Sequence, residues 1–403
     1  MSLTITRLTA AGDGMANQEG PFPRTLPGEE IERAADGSAR ILTPAATRVK
    51  ALCRHFKSCG GCSMQHAEDA FVADWKTGVI KTGLLARGIE AEIRPILTSP
   101  PQSRRRAALH GKRSKSGAMI GFHARGSDVL IETPECQLLD PALIAAFPVL
   151  QDLTVLAASR KAELELIVTL SENGIDLDMR GCKPLDPQSA LRAAALADQH
   201  RFARIAWDGE VIGLRAPPHQ KFGIAKVSPP PGAFLQATTH GQKVLTDCVL
   251  EAVGEAGQVV DLFSGCGTFS FPAAQGAEVW ALEGDAELIA SLDLGWRSAT
   301  GLKKITAETR DLFRRPVLAA ELKKTDAIII DPPRAGAEAQ SHEIAQSNVP
   351  TIAAISCNPV TFARDAEIFI NGGYRLEWVQ PVDQFRWSAH VELAALFTRP
   401  HIA

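Results

Sequence analysis

A cysteine near the end of the chain stands where nucleophilic chemistry is expected. The apolar residues 352–355 lead into Ser356-Cys357-Asn358-Pro359, and a proline cannot continue an interior strand. This order predicts that the Cys357 thiol lies at the carboxyl end of a buried parallel strand, the edge at which open α/β sheets bind ligands. Because a lone free cysteine is more often a small buried hydrophobic residue, the neighbouring strand ends must decide its role.

A glycine loop follows another predicted strand, over residues 258–260. It reads Asp261-Leu262-Phe263-Ser264-Gly265-Cys266-Gly267-Thr268-Phe269, and its glycines let the backbone approach a nucleotide-like ligand. The third glycine of a dinucleotide fingerprint is missing, and Asp261 directly precedes the loop, which favours a cationic sulfonium cofactor over a pyrophosphate. Glu283 ends the next strand, where an acid can bind both ribose hydroxyls. We therefore predict S-adenosylmethionine as the cofactor, against the alternative of a plain tight turn.

Two more polar strand ends complete the pattern. The strand over residues 327–330 ends in Asp331-Pro332-Pro333-Arg334. Methyltransferases that act on exocyclic base nitrogens carry an aromatic residue at the position of Arg334, so its absence argues for a carbon acceptor and a cysteine nucleophile. Glu392, at the start of the apolar strand over residues 393–397, is either a solvated end residue or a general base whose pKa burial raises.

Three cysteines within ten residues form a ligand loop, Cys53, Cys59 and Cys62. A fourth thiolate is needed to close a metal or cluster site, and Cys136, in the turn Pro134-Glu135-Cys136-Gln137, is the first choice, with Cys182 as its competitor. Zinc is the alternative for four thiolates. The spacing differs from that of common zinc knuckles, which favours an iron–sulfur cluster.

The elements that position these residues indicate three domains. Residues 1–48 carry turn residues but no helical period, and their Gly12-Asp13-Gly14 and Pro27-Gly28-Glu29 segments resemble a short TRAM domain, a small OB-like RNA-binding β-barrel. Residues 49–230 mix a helix over about 67–87 with strands within 104–132. Residues 231–403 follow a proline-rich boundary and alternate strands with helices, beginning with a helix over 239–253. This alternation predicts an α/β fold with a doubly wound, mostly parallel sheet, the class I or Rossmann-like methyltransferase architecture.

Composition sets limits on location and partners. Hydrophobic residues make up 45% of the chain, yet no apolar run approaches the length of a membrane span. The amino terminus lacks the pattern of a signal peptide. We expect a cytoplasmic protein without a membrane partner. The net charge is -3, so a nucleic acid would have to be bound by a local basic patch, of which Arg104-Arg105-Arg106 is the densest.

Taken together, the motifs resemble the RNA (uracil-5)-methyltransferase family, the bacterial 23S rRNA and tRNA 5-methyluridine enzymes, in its iron–sulfur branch. The resemblance rests on five motifs that occur in order: Cys53-x5-Cys59-Gly-Gly-Cys62, Asp261-Leu-Phe-Ser-Gly-Cys-Gly, Asp331-Pro-Pro-Arg334, Ser356-Cys357-Asn358-Pro359 and His390-Val-Glu392.

The resemblance implies a role for each matching residue. Cys357 would add to carbon 6 of a flipped-out uracil, and Glu392 would remove the carbon 5 proton after methyl transfer. Cofactor contacts would come from Gln236, Phe263, Thr268, Glu283, Asp311 and Asp331, with Glu308 as a competitor of Asp311. Four cysteines, Cys53, Cys59, Cys62 and Cys136, would hold a 4Fe-4S cluster, and the arginine run would contact RNA phosphates.

The expected activity is therefore S-adenosylmethionine-dependent formation of 5-methyluridine in structured RNA, by an enzyme we expect to be monomeric. The preferred substrate is 23S rRNA, with tRNA as the alternative. Two rivals are a non-catalytic RNA-binding protein and an iron–sulfur redox or radical enzyme. The presence of both Cys357 and Glu392 argues against the first, because binding needs neither. A fourth cluster ligand at Cys136 would exclude a radical enzyme, which leaves one iron open.

Overall fold

The amino-terminal part consists of short antiparallel strands. The computed structural model describes residues 2–399. Its first six strands are β1 Ser2–Thr4, β2 Arg7–Leu8, β3 Gly14–Ala16, β4 Glu19–Phe22, β5 Glu30–Arg33 and β6 Ala39–Thr43. They form two three-stranded sheets, β1-β5-β6 and β2-β3-β4, around the buried side chains of Ile5, Phe22 and Ile31. The short predicted segment therefore contains six strands. Its closure into a barrel stays a prediction.

The central part is built on a seven-stranded sheet with the order β10-β9-β8-β11-β12-β13-β14. Its strands are β8 Arg106–Arg113, β9 Ala118–His123, β10 Leu130–Glu132, β11 Glu163–Ser171, β12 Gly174–Arg180, β13 Arg204–Trp207 and β14 Glu210–Leu214. Its helices are α2 Pro141–Ala145, α3 Phe147–Ala157 and α4 Pro187–Gln199. Leu109, Leu150 and Leu166 lie in the core between sheet and helices. The alternation of buried and half-exposed residues along β8 gives this strand one core face and one partly exposed face.

An eight-stranded sheet dominates the carboxyl-terminal part, with the order β19-β18-β17-β20-β21-β23-β22-β7. Its strands are β7 Leu97–Thr98, β17 Gln258–Leu262, β18 Glu278–Glu283, β19 Ile305–Thr309, β20 Ala327–Ile330, β21 Thr351–Ser356, β22 Arg375–Asp383 and β23 Glu392–Thr398. Its helices are α5 Thr239–Val253, α6 Ser270–Ala273, α7 Ala286–Ser298, α8 Glu338–Gln346 and α9 Pro359–Asn371. Strands β17 to β21 are parallel and β23 is antiparallel to both of its neighbours.

The order of these strands fixes where a ligand can bind. The chain leaves β17 for β18 and β19 and then returns to place β20 on the other side of β17. A crevice opens at such a switch point, beyond the carboxyl ends of the strands. β20 is buried along its whole length, and separate hydrophobic clusters cover the two faces of the sheet. The core therefore presents the loops after β17, β18, β20 and β21 at one rigid edge.

The predicted central region contributes β7 to the eight-stranded sheet, and two further segments of this region pack on it. Helix α1, Asp69–Leu85, packs against α9 and contributes Ile80 and Leu84 to the hydrophobic core of the sheet. The hairpin of β15 Gln220–Phe222 and β16 Ala225–Val227 buries Phe222 against Phe271. The division of the chain at residue 230 stays a prediction, because these contacts cross it. No helix within residues 2–399 has the length and apolar character that crossing a membrane requires.

Candidate active site

A cavity of about 460 Å³ opens at the carboxyl edge of the eight-stranded sheet. This volume lies within the range of small-molecule and cofactor sites. All six residues predicted to contact the cofactor line it, as do both predicted catalytic residues: Gln236, Phe263, Thr268, Glu283, Asp311, Asp331, Cys357 and Glu392. The topology thus brings together residues that are up to 156 positions apart (Gln236 and Glu392).

The backbone conformation of the loop after β17 explains its two glycines. Phe263, Gly265 and Gly267 all have positive φ angles, of 62°, 55° and 96°. A Cβ atom on Gly267 would lie 2.5 Å from Cε2 of Phe271, so no larger residue fits there. The Gly265 amide donates a hydrogen bond to Glu283 Oε2 over 3.1 Å. Glu283 therefore shapes the loop from the end of β18 while its side chain faces the cavity.

Asp261 does not face the cavity, although its position before the glycine loop suggested a carboxylate that attracts a sulfonium cofactor. Its side chain is fully buried and is absent from the cavity lining. Oδ2 accepts a hydrogen bond of 2.5 Å from the Ser270 hydroxyl, at the start of α6. Burial raises the pKa of Asp261 to about 7, and the nearby Asp331 and Glu283 carboxyls add to the shift. Asp261 thus holds the loop against α6, and cannot itself face a sulfonium group.

Acidic groups at the cavity wall come from other strand ends. Asp331, after β20, lines the cavity, and burial followed by repulsion from Glu283 raises its pKa to about 7. Asp311 lines it as well, and its Oδ1 accepts hydrogen bonds from the amides of Phe313 and Arg314. The competing Glu308 instead accepts a hydrogen bond from the Trp280 indole. It is not part of the lining, so geometry favours Asp311.

Cys357 and Glu392 face each other across two antiparallel strands. Ser356 at the end of β21 pairs with Leu393 on β23, which makes Cys357 and Glu392 the next residues in register. Burial raises the pKa of Glu392 to about 8, and repulsion from Asp331 adds to this shift. Burial raises the pKa of Cys357 to about 11, with a further increase from Glu392 and a smaller opposite effect of Arg334. A thiol and a protonatable carboxyl therefore lie side by side in the wall of the cavity.

The turn beyond Cys357 is fixed by its own sequence. The Asn358 side chain caps α9 by accepting a hydrogen bond of 3.1 Å from the Val360 amide, and Pro359 occupies the first turn of the helix. The Asn358 side-chain amide donates to the Arg334 carbonyl over 3.0 Å. This bond joins the two loops that follow β20 and β21, so the positions of Arg334 and Cys357 are coupled.

Sequence reasoning missed three residues at this site. Phe234 and Phe313 line the cavity with exposed rings, each two positions from a predicted cofactor residue. Gln384 is buried next to the cavity and hydrogen-bonds with Gln236. The two phenylalanines could have been found from the sequence, because each stands near a predicted cofactor residue. Gln384 could not, because its partner Gln236 is 148 positions away.

The prediction that the arginine run contacts phosphate is wrong for the buried Arg105, and it stays a prediction for Arg104 and Arg106. Arg105 is buried, and its guanidinium donates to Gln242 Oε1 over 2.6 Å and to the Gln236 carbonyl over 3.2 Å. Arg106 donates to the carbonyls of Ala233 and Gly232, and Arg104 to that of Arg106. Arg105 and Arg106 therefore join the central sheet to the segment that carries Gln236.

The four predicted ligand cysteines line a second, smaller cavity next to Arg104, namely Cys53, Cys59, Cys62 and Cys136. Burial raises the pKa of Cys62 to about 12, and repulsion from the other three thiols adds to the shift. Cys182 is not in this lining, and its thiol contacts the Met179 carbonyl instead. Of the two candidates for the fourth position, the fold brings only Cys136 to the other three.

The sheet order, the glycine loop and Glu283 at the end of β18 surround one cofactor-sized cavity, an arrangement typical of α/β enzymes that bind a nucleotide-like cofactor. Residues 230–400 match the model of the tRNA (uracil-5-)-methyltransferase family. The fold resembles that of Pyrococcus abyssi tRNA (uracil-54, C5)-methyltransferase, solved with S-adenosyl-L-homocysteine, with a TM-score of 0.77, 22% identity and 99% coverage of both chains.

Full-length relatives extend the match. An uncharacterised RNA methyltransferase of Caulobacter vibrioides is 42% identical, over 98% of this chain and 99% of the relative. The 23S rRNA (uracil(1939)-C(5))-methyltransferase RlmD of Thiobacillus denitrificans is 30% identical, also over 98% and 99%. The chain belongs to the RNA (uracil-5)-methyltransferase family, and is an S-adenosylmethionine-dependent enzyme.

Proposed function

We propose that this enzyme methylates carbon 5 of a specific uridine in structured RNA, with 23S rRNA as the preferred substrate, through a covalent cysteine–uracil intermediate. One observation carries the proposal. Cys357 and Glu392 lie next to each other in strand register and line the same cavity as the six cofactor residues. A nucleophile, a base and a methyl donor are the three groups that substitution at an unactivated uracil carbon requires.

In this mechanism the Cys357 thiolate forms a bond to carbon 6 of the flipped-out uracil. The displaced π electrons pass to carbon 5 and to the carbonyl oxygen of the adjacent carbon 4 as an enolate. S-adenosylmethionine, when bound, supplies the electrophilic methyl group that carbon 5 takes. Glu392 then removes the carbon 5 proton, so that the double bond re-forms and the bond between carbon 6 and sulfur breaks. Cys357 is released unchanged, and the proton remains on Glu392 until solvent removes it.

The charges of the site suit these steps. The cation Arg334 favours the Cys357 thiolate, opposing the burial that raises the pKa of this thiol. The raised pKa of Glu392, about 8, makes its carboxylate a stronger proton acceptor than an ordinary glutamate. For the cofactor, we assign ribose recognition to Glu283 at the end of β18. The remaining contacts are assigned to Gln236, Phe263, Thr268, Asp311 and Asp331, which line the same cavity.

We further propose that Cys53, Cys59, Cys62 and Cys136 hold a 4Fe-4S cluster. The donor set fits, since four thiolates that line one cavity are the ligands of such a cluster. The spacing of the cysteines in the sequence, five residues and then two, differs from that of common zinc knuckles, which favours a cluster over a single zinc ion.

The preference for ribosomal RNA rests on the relative from Thiobacillus denitrificans, whose name specifies 23S rRNA. A tRNA substrate is the alternative, since the similar structure from Pyrococcus abyssi is that of a tRNA enzyme. The likeness of that structure, at 22% identity, supports the fold alone.

The test measures methyl transfer from labelled S-adenosylmethionine into total RNA of a strain that lacks this gene. Ribosomal RNA and tRNA are separated, and the labelled nucleoside is identified by mass spectrometry. We expect 5-methyluridine in 23S rRNA with the wild-type enzyme and none with Cys357→Ala, although that variant still binds the cofactor. Cys248→Ala, which changes a buried cysteine on α5, serves as the matched control. Label in tRNA alone would reject the substrate preference, and full activity of Cys357→Ala would reject the nucleophile.

A further inference from the structure

Three side chains of the types that bind metals meet outside both cavities, on the seven-stranded sheet. They are His110 on β8, His123 on β9 and Glu163 on β11, and one ligand atom from each lies within 4.8 Å of the other two. Glu163 Oε1 is 3.0 Å from His110 Nδ1 and 2.6 Å from His123 Nε2. The two imidazole rings stack with their centroids 3.9 Å apart.

The sheet presents these side chains to solvent on rigid elements. Strands β9, β8 and β11 are adjacent in the sheet. Each of the three residues follows or precedes one that packs in the core, namely Leu109, Phe122 and Leu164. Since side chains alternate along a strand, the three ligand-type groups point to the opposite face. Their side chains are 24% to 30% exposed, which leaves access for an ion while burying most of each group.

We propose that His110, His123 and Glu163 bind one divalent transition-metal ion of the zinc type, with water completing the coordination. Two imidazoles and one carboxylate form a known protein ligand set for zinc, with metal–ligand bonds of about 2.0–2.2 Å. Ligand atoms at a tetrahedral ion are about 3.4 Å apart, so the present distances must open by less than about 1 Å. Half-exposed side chains achieve this by small rotations.

Neutral imidazole nitrogens and carboxylate oxygens are donor atoms that a zinc-type ion accepts. The nitrogen and oxygen ligands also separate this site from the cysteine cavity, because thiolates select softer metals and clusters.

Such an ion would stabilise the sheet beneath the cysteine loop. The Gly60 amide, inside that loop, donates a hydrogen bond of 2.8 Å to the His123 carbonyl, and Cys59 forms a β-bridge with Ala124. A metal that joins β9 to β8 and β11 would therefore restrict the strand on which the loop rests. This inference does not depend on the RNA substrate or on the covalent mechanism.

The experiment titrates Co²⁺ and Zn²⁺ into the full-length protein, with its iron content measured beforehand. We compare wild type, His123→Gln and Glu163→Gln. The matched control is His200→Gln, which changes an exposed histidine at the end of α4. We expect wild type and control to bind one Co²⁺, with the weak visible bands of nitrogen and oxygen ligation and without intense sulfur charge transfer. Because loss of an outer-shell partner already costs about 10–100-fold in affinity, loss of a ligand should cost more than about 100-fold.

Equal binding by wild type and both ligand variants would overturn the proposal, as would an absence of binding at millimolar metal, which would leave a hydrogen-bonded triad only. Unchanged iron content and S-adenosylmethionine affinity show that the variants are folded. X-ray absorption of the zinc-loaded wild type gives an answer without variants. A first shell at about 2.0–2.1 Å supports the site, and one at about 2.3 Å assigns the metal to cysteines.

Discussion

Gln384 donates a hydrogen bond of 2.5 Å from Nε2 to Oε1 of Gln236, and both side chains are buried. Gln384 Oε1 also accepts a hydrogen bond of 2.8 Å from the Ala237 amide. The side chain of Gln384 also hydrogen-bonds with Glu392, and this bond opposes the rise in the pKa of Glu392. One residue of the segment between β22 and β23 therefore positions both a cofactor-site residue and the proposed base.

Replacement of Gln384 by alanine should weaken both the cofactor site at Gln236 and proton removal by Glu392. It leaves the Gln236 oxygen and the Ala237 amide unpaired in a buried place, at a cost of about 1–3 kcal/mol for each group. We expect kcat/KM for methylation to fall by about 10–100-fold, and the pKa of Glu392 to rise further. Activity against pH should accordingly shift to higher pH. Gln380→Ala is the control, since this buried glutamine of β22 bonds to Pro95 instead. An equal pH shift in both variants would contradict the positioning role.

Glu392→Gln should separate the steps of the proposed reaction. A glutamine can occupy the space of Glu392 but cannot accept the carbon 5 proton. Addition by Cys357 and methyl transfer should therefore proceed once, and the enzyme should remain joined to methylated RNA. A denaturing gel with labelled methyl groups would show this adduct. The double variant Cys357→Ala, Glu392→Gln is the control and should form none. Multiple turnovers by Glu392→Gln would assign the proton abstraction to another group.

The activity should increase with pH through the neutral range. Glu392, with a pKa of about 8, must lose its proton to act as a base, and Cys357, with a pKa of about 11, must lose its proton to act as a nucleophile. Both active forms gain population as pH rises, so log kcat/KM of the wild type should rise from pH 6 to 9. The two groups interact, so the measured values belong to the pair. Single-turnover methyl transfer by Glu392→Gln should keep only the thiol dependence. A flat profile in the wild type would contradict these roles.

Much of the site was predictable because its residues follow buried parallel strands. An apolar run that ends in polar residues marks the carboxyl edge of a sheet without knowledge of tertiary contacts, and Glu283, Asp331 and Cys357, selected in this way, line one cavity. Helix α5 has the predicted bounds as well. In contrast, β19 went unidentified, because this edge strand lies half-exposed and lacks a continuous apolar run.

The side-chain contacts that the sequence did not predict are made between residues far apart in the chain. The charge pattern of the arginine run is the same whether a guanidinium meets RNA or a buried Gln242. The pattern of α1 predicts a helix, but not that the fully buried Lys76 pairs at 2.6 Å with Asp383. That ion pair is made across 307 positions of the chain, and it fixes the residue next to Gln384. Local periodicity carries no information on such pairs, since either residue alone would be expected at the surface.

Cys136→Ser should remove the cluster, whereas Cys182→Ser should leave it intact. Both cysteines are half-buried and free in the same part of the chain, but only Cys136 shares a cavity with Cys53, Cys59 and Cys62. A serine hydroxyl is a poor replacement for a thiolate ligand of iron. Iron and sulfide analysis after anaerobic purification should give four irons per chain for wild type and Cys182→Ser, and fewer for Cys136→Ser. Loss of the cluster also removes the bonds that would join the cysteine loop to the turn at position 136, so the thermal unfolding temperature of Cys136→Ser should fall. Four irons in Cys136→Ser would show that another group completes the site. One zinc per chain in the wild type, without iron, would show that the cavity closes around a single ion.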